Sequence, residues 1–326
     1  MLFYDFEVFA YDWLVVVMDM TAKKTHVIIN SPEQLEALYK ANMKEIWCGF
    51  NSRHYDQYIL KAILCGFDPK KVNDYIIVKG NPGWKFSSLF RNFPLWNYDV
   101  MLGTDVGLKS FEGFMGNNIK ETSVPFNIDR KLTEEEIAET VKYCKHDVEQ
   151  TIQVFLKRTE EFNTMMYFIK HFGLSMDSIS KTKAQLAAEI LGGNRKGADF
   201  SDEFSFPILD CLELKKYRHI ADWYANPANH DYTKKQDKQI VAGVEHTFAW
   251  GGGHGARLKY SSSGVFLIID VTAYYPSLQK KYHFGYRVMD HPENFEFIHD
   301  SNIEFKRKGD KKARQPFKIM DNAISG

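Results

Sequence analysis

Four cysteines in 326 residues, at positions 48, 65, 144 and 211, form no C-x-x-C pair. Their scatter indicates neither a zinc site nor a disulfide framework, and it fits reduced thiols in a cytosolic compartment. Long apolar runs are also missing. The longest, WLVVV at 13–17 and VFLII at 265–269, have the length of strands and are too short to span a bilayer. The N-terminus has no basic segment followed by an apolar stretch, so no signal peptide is read and a cytoplasmic protein with no membrane partner is expected. Charge of one sign is absent as well. The 42 basic residues balance 42 acidic ones, which argues against a large non-specific surface for polyanions. No repeat and no low-complexity segment interrupts the chain.

What is present is ordinary in bulk and unusual in detail. Apolar residues make up 44% and charged residues 26%, as in a soluble globular protein, and the length allows two or three compact units. Aromatics reach 15%, which suits base stacking as well as core filling. Residues 303–318 hold seven Lys/Arg against two Asp/Glu, so basic charge gathers near the C-terminus.

The hydrophobic pattern predicts a mixed α/β layer over the first half of the chain. MLFYDFEVF, WLVVVMDM and THVIIN read as three strands. SPEQLEALYKAN follows as a helix with Ser31 as its N-cap, EIWCGF as a buried strand, and HYDQYILKAILCG as a helix ending at Gly66. LWNYDV near 95–100 predicts another strand. LTEEEIAETVKYCKHDVEQTIQVFLKRTEEF predicts one long helix, with Thr133 and Glu136 spaced as a capping box. Residues 156–245 read as mainly helical and polar, with a loop at NPANHDYTKKQDK. A further unit starts near HTFAWGGGHGARLKY, and GVFLIID predicts a strand that delivers Asp270 at its end.

Three short motifs carry acidic residues. On a strand, residues two apart share a face, so Asp5 and Glu7 in YDFE present two carboxylates side by side within an apolar segment. Two such neighbours repel each other and resist desolvation, and a divalent cation resolves the conflict. Asp56 in NSRHYD opens a helix. Tyr143 and Asp147 in YCKHD are four apart and share a helix face. Each has an ordinary explanation alone: a wet strand, a helix-dipole acid, a surface pair. All three in this order fit a two-cation phosphodiester cleavage site. Such a site holds two Mg²⁺ or Mn²⁺ about 4 Å apart and draws carboxylates from separate elements.

These segments resemble the exonuclease motifs of proofreading family-B DNA polymerases of the compact phage type: D-x-E, N-x₂₋₃-(F/Y)-D and Y-x₃-D. The resemblance implies an RNase H-like (DnaQ-type) exonuclease domain with Asp5, Glu7, Asp56 and Asp147 as metal ligands. It implies Tyr143 as the residue that orients the attacking water and Asn51 as a contact to the substrate strand near its 3′ end. The stretch LKSFEGFMGNNIKETSVPFNIDRKLTEEEI is similar to the corresponding phage segment. DVTAYYPS at 270–277 resembles motif A, D-x-x-S-L-Y-P-S, with Ala273 for Ser and Tyr274 for Leu. It implies Asp270 as a catalytic metal ligand and Tyr275 as the steric gate beneath the sugar. The last nine residues resemble motif B less closely. There Lys318 would face the incoming nucleotide's phosphates, aided by Arg314, and Asn322 falls at the motif's asparagine. WGGGHGA is similar, loosely, to the aromatic-x-Gly-Gly element that passes primer between the two sites.

The Y-G-D-T-D-S element, which supplies the second palm carboxylate, does not occur in the chain, and a thumb would lie beyond residue 326. The expected organisation is therefore an exonuclease domain at 1–155, a helical connecting region at 156–245, and an incomplete α+β polymerase palm and fingers at 246–326. The expected activity is a metal-dependent 3′–5′ exonuclease on DNA, single-stranded at its 3′ end or as primer-template, from a phage or mobile element replicating in a host cell. The alternative is a non-catalytic DNA-binding or assembly half of a split polymerase, completed by a C-terminal polymerase chain. A stand-alone RNA-processing nuclease on the same fold is a third reading, opposed by motif A.

Overall fold

A computed structural model describes residues 1–101, 106–194, 201–205, 208, 211–267 and 271–325. The chain forms two compact units, Met1–Gly193 with Ala273–Gly326, and Asn194–Thr272. These limits differ from breaks at 155 and 245. Residues 159–190 belong with the first unit because their helices build its core, and the C-terminal helices join the same core.

The first unit is built on a mixed five-stranded sheet. Its strands are β1 (Leu2–Val8), β2 (Trp13–Asp19), β3 (Lys24–Ile29), β4 (Trp47–Gly49) and β5 (Asn97–Asp99), in the order β3-β2-β1-β4-β5. The β1–β2 and β2–β3 pairs are antiparallel; β1–β4 and β4–β5 are parallel. Helices α1 (Pro32–Ala41), α2 (Asp56–Leu64) and the short α3 (Pro69–Asn73) follow the strands that precede them. Ser31 caps α1 as its sequence position suggests, accepting from the amide of Gln34.

Strand alternation decides which side chains meet which layer. Leu2, Tyr4, Phe6 and Val8 of β1 join Trp13, Val15 and Val17 in one core with Leu35, Leu38, Ile59 and Ile63 of α1 and α2. Phe3 points the other way, with Leu14, Val16 and Met18, into a second core. That core is covered by α5 (Glu134–Lys157), α6 (Thr159–His171) and α7 (Lys183–Ile190), which follow α4 (Leu108–Met115). Asp5 and Glu7 share the parity of Phe3 and therefore lie on the α5 side.

The expected single long helix is two helices, broken at Arg158. No glycine or proline marks the break. The Arg158 guanidinium instead donates to the carbonyl of Val100 and to Glu161, a tertiary tie outside the reach of local pattern.

The C-terminal part of the first unit comprises α9 (Tyr274–Tyr282), α10 (Pro292–Lys308) and α11 (Lys311–Ser325). Phe317 and Met320 of α11 are buried in the same core as Met165, Phe168 and Ile169 of α6.

The second unit holds α8 (Arg218–Ala225) and an antiparallel sheet of β6 (Gln239–Val241), β7 (Val244–Ala249) and β8 (Gly252–Gly255). Its own core is aromatic, with Phe204, Trp223, Tyr224 and His230 around Trp250. The glycine run has a packing reason. Gly253 and Gly255 pair with Phe248 and His246 across the ladder. A Cβ on Gly253 would sit 2.8 Å from the Phe248 ring, and one on Gly255 would sit 2.3 Å from the His246 ring.

The strand expected at 264–270 is not found in its described part. Val265, Phe266 and Leu267 are exposed and pair with no strand among the described residues. Asp270 lies outside the described residues. Among the described residues, no helix is long and apolar enough to cross a membrane.

Candidate metal centre

The parallel ladder between β1 and β4 ends early, at Leu2↔Trp47 and Phe3↔Cys48. Beyond it the two strands diverge, and the amide of Phe6 has no β4 partner. Asp56, at the first turn of α2, fills that gap: its Oδ1 accepts from Phe6 N at 3.1 Å. The Asp56 carboxylate is thereby set against the backbone between Asp5 and Glu7. The turn into α2 is tight. A Cβ on Gly49 would lie 2.6 Å from Cβ of Ser52 and 3.2 Å from the carbonyl oxygen of Tyr4.

The NSRHYD loop is held from β5. Asp99 accepts from the amides of Asn51, Arg53 and Met101, each at 2.9 Å. Asn97 accepts from the Tyr4 hydroxyl at 2.8 Å and exchanges hydrogen bonds with Ser52. Asn51 has φ of 56°, a left-handed conformation that asparagine tolerates better than most residues.

The third element is α5. Its capping box is formed as the spacing predicts, with Thr133 Oγ1 accepting from Glu136 N and Glu136 accepting from Thr133 N. One face of the helix carries Tyr143, Cys144, Asp147 and Val148 toward β1. The Cys144 thiol donates to the Asp5 carbonyl at 3.3 Å and lies 3.4 Å from Asp5 Oδ2.

Ligand atoms of Asp5, Glu7 and Cys144 all fall within 4.8 Å of one another, as do those of Glu112, His146 and Asp147. Asp5, Glu7, Asp56 and Asp147 thus come from three elements and lie near enough for the charges of the other three to act on Asp5, but they split into two subclusters, with Asp56 against the backbone between the first pair.

Four residues of this neighbourhood are not legible as site residues from their motifs: Lys109, Glu112, His146 and Asp99. Lys109 Nζ on α4 donates to Asp147 Oδ1 at 2.6 Å and lies 3.3 Å from Glu112 Oε1. It also sits 4.7 Å from the centre of the Tyr143 ring. Glu112 Oε2 is 3.2 Å from His146 Nε2. The available signals were the i, i+3 spacing of Lys109 and Glu112 and the adjacency of His146 to Asp147. Both patterns are commonplace on solvated helices.

The electrostatics are those of crowded, buried acids. Burial pushes Asp5 well above the usual carboxylate range, and the charges of Asp56, Glu7 and Asp147 push it further. Burial likewise raises Glu7, followed by Asp147 and Asp56, while Lys109 pulls it down. Asp56 is raised by burial to about 7, against the lowering effect of the Phe6 amide. Asp147 is raised by burial despite its bond to Lys109. Burial lowers Lys109, but the hydrogen bond and charge of Asp147 leave it above the ordinary lysine value. Burial and the neighbouring Asp147 raise Tyr143, which stays a phenol.

The donor set is thus mostly carboxylate oxygen with one nearby ammonium. It is short of positive charge and suits a hard divalent cation. Cys144 and His146 add one sulfur and one nitrogen at its edges.

The polymerase-like residues stand elsewhere. Tyr275 is exposed on α9, where its ring lies 5.4 Å from that of Tyr274. Lys318 and Asn322 are exposed one turn apart on α11. Arg314 is engaged within the helical layer, its Nε donating to Asn302 Oδ1 at 2.9 Å. Asn302 in turn donates to the fully buried Asp321. Arg314 thus serves a structural network in this conformation.

No protein-family model matches the chain, and no curated protein sequence matches it.

Proposed function

We propose that the chain is the N-terminal portion of a family-B-like DNA polymerase whose first unit is a two-metal 3′–5′ exonuclease acting on DNA 3′ ends. The observation that carries it is the convergence of Asp5, Glu7, Asp56 and Asp147 from β1, α2 and α5, in the chain order of the exonuclease motifs. The strand order β3-β2-β1-β4-β5 with the acids on its central strand supports an RNase H-like domain.

Asp5, Glu7, Asp56 and Asp147 would hold Mg²⁺ or Mn²⁺, which would supply Lewis-acid chemistry for phosphodiester hydrolysis. The chain's own residues do the rest. The Tyr143 phenol keeps its proton and can donate to the attacking water while its ring carries Lys109. Lys109 places a positive charge beside the site where a phosphate's charge must be met. Asn51, five residues before Asp56 and with its amide held by Asp99, would contact the terminal nucleotide.

The test is degradation of a single-stranded DNA with Mg²⁺ or Mn²⁺, comparing the wild type with an Asp5→Ala, Glu7→Ala double variant. Stepwise 3′ shortening by the wild type alone supports the proposal. If neither protein cuts, the exonuclease reading of this chain fails.

A second reading is favoured by one observation. Val265, Phe266 and Leu267 form a contiguous apolar run that is exposed, and such a run is costly to leave in water. It suits a chain that is completed by a C-terminal polymerase partner and binds DNA as half of an assembly. Concentration-dependent association with a chain bearing the missing palm carboxylate would support it.

A further inference from the structure

Glu112 is wholly buried one turn along α4 from Lys109, at the rim of the carboxylate cluster. Its two oxygens differ. Oε2 is held by His146 at 3.2 Å. Oε1 is buried with no hydrogen-bond donor among the described residues, although Lys109 Nζ stands only 3.3 Å away without the alignment of a hydrogen bond. A buried carboxylate oxygen held by one off-axis ion pair and no aligned hydrogen bond is under-satisfied, and its persistence calls for a reason.

The reason lies in the neighbouring acid. Lys109 bonds Asp147 Oδ1 at 2.6 Å and so occupies the direction from which a cation would engage that oxygen. A divalent cation at Asp147 repels the ammonium. The lysine side chain is only 27% exposed, so it needs a second anion nearby to remain where it is. Glu112 Oε1 is that anion. The Tyr143 ring beneath Nζ, at 4.7 Å, gives the ammonium a favourable face throughout so short a move.

We propose that Glu112 is a positioning residue that seats Lys109 when Asp147 serves a divalent cation, with His146 fixing Glu112 so that Oε1 faces the lysine. The proposal rests on reading Asp147 as a cation ligand. It adds that the balance between the two ion pairs of one lysine, to Asp147 at 2.6 Å and to Glu112 at 3.3 Å, shifts toward Glu112 when the cation binds, and that Glu112 acts on cation binding only through Lys109.

The experiment is Mn²⁺ titration of the full chain by calorimetry, with no nuclease substrate present. Four proteins are compared: wild type, Glu112→Gln, Lys109→Met and the double variant, each checked for an unchanged circular dichroism spectrum. Removing Glu112 leaves Lys109 competing for Asp147, so Glu112→Gln should weaken Mn²⁺ about tenfold or more, as loss of an outer-shell partner does. In the Lys109→Met background the same substitution should change affinity by less than about twofold, a coupling that a structural role or direct ligation would not produce.

Equal weakening with and without Lys109 overturns the proposal, since Glu112 then acts on the cation itself. No weakening by Glu112→Gln also overturns it. If Glu112→Gln does not fold, Glu112→Asp carries the test, because it withdraws the same charge by one methylene and must show the same coupling. A wild type that binds no Mn²⁺, or an Asp147→Asn variant that binds it as tightly, refutes Asp147 as a ligand. That result removes the metal reading itself, a different failure from loss of coupling with binding intact.

Discussion

The amide of Phe6 donates to Oδ1 of Asp56 at 3.1 Å, joining residues 50 apart in the chain. This bond exists because β1 outruns its parallel partner: pairing with β4 stops at Phe3, and the next free amide on that edge recruits a carboxylate. The acid that closes the sheet's opening is also one of the four acids of the proposed cation site.

On the proposed exonuclease reading, removing the paired acids of β1 should end catalysis without ending the fold. An Asp5→Ala, Glu7→Ala variant should lose roughly a thousandfold in DNA degradation, because several kcal/mol of transition-state stabilisation depend on the cations they would hold. Gel analysis of a 5′-labelled oligonucleotide checks the loss. Circular dichroism should show an unchanged helix content.

Stability without divalent cations should fall as pH rises from about 5 to 8. The folded-state values of Asp5, Glu7 and Asp56 lie above the ordinary carboxylate range, with Asp56 at about 7. Above the unfolded value of about 4, the unfolded chain has released protons that the native state still holds. Unfolding free energy therefore decreases with pH through that window. Adding Mn²⁺ at pH 8 should reverse the loss. Thermal melts at several pH values with EDTA or Mn²⁺ test both halves, and a Tm that rises with pH in EDTA would contradict the account.

Asp99 is an acid whose work is with the backbone. Asp99→Ala leaves the amides of Asn51 and Arg53 without their acceptor and should cost on the order of 2–4 kcal/mol by denaturant melts. If Asn51 contacts the DNA 3′ end as proposed, freeing it from its turn should raise KM more than it lowers kcat.

The capping box of α5 should matter more than its exposure suggests, because that helix carries Tyr143 and Asp147. Thr133→Ala should cost about 1 kcal/mol and lower Tm by about 2–4 °C, with kcat little changed. Differential scanning calorimetry measures it.

What was legible in the sequence was what short periods encode. The alternation of LFYDFEV placed Asp5 and Glu7 on one face, and Thr133 with Glu136 marked the start of α5 to the residue. The break at Arg158 was not legible, because it goes with a tertiary tie in which the Arg158 guanidinium donates to the carbonyl of Val100, at a distant strand end. Lys109 and Glu112 were not legible as site residues, because an i, i+3 pair looks the same exposed or buried and only the fold excludes water from Glu112. The apolar residues 265–267 have strand composition but pair with no strand among the described residues; the small sheet of the second unit is formed by β6, β7 and β8. The C-terminal helices read as the start of another domain, yet Phe317 and Met320 fill the core behind α6.

The strict alternation of β1 carries a consequence for how this gene can vary. Tyr4 and Phe6 face one layer while Asp5 and Glu7 face the other, and every residue from Leu2 to Val8 is paired with β2. A single codon gained or lost inside that strand would flip every residue on one side of the change, turning a carboxylate into the aromatic core or an aromatic ring into the acidic cluster. Point changes along β1 are graded in their effects, whereas a change of length by one residue is lethal to the site. Drift in this segment is therefore confined to substitution, and related chains should preserve the count of residues between Leu2 and Trp13 more faithfully than their identities.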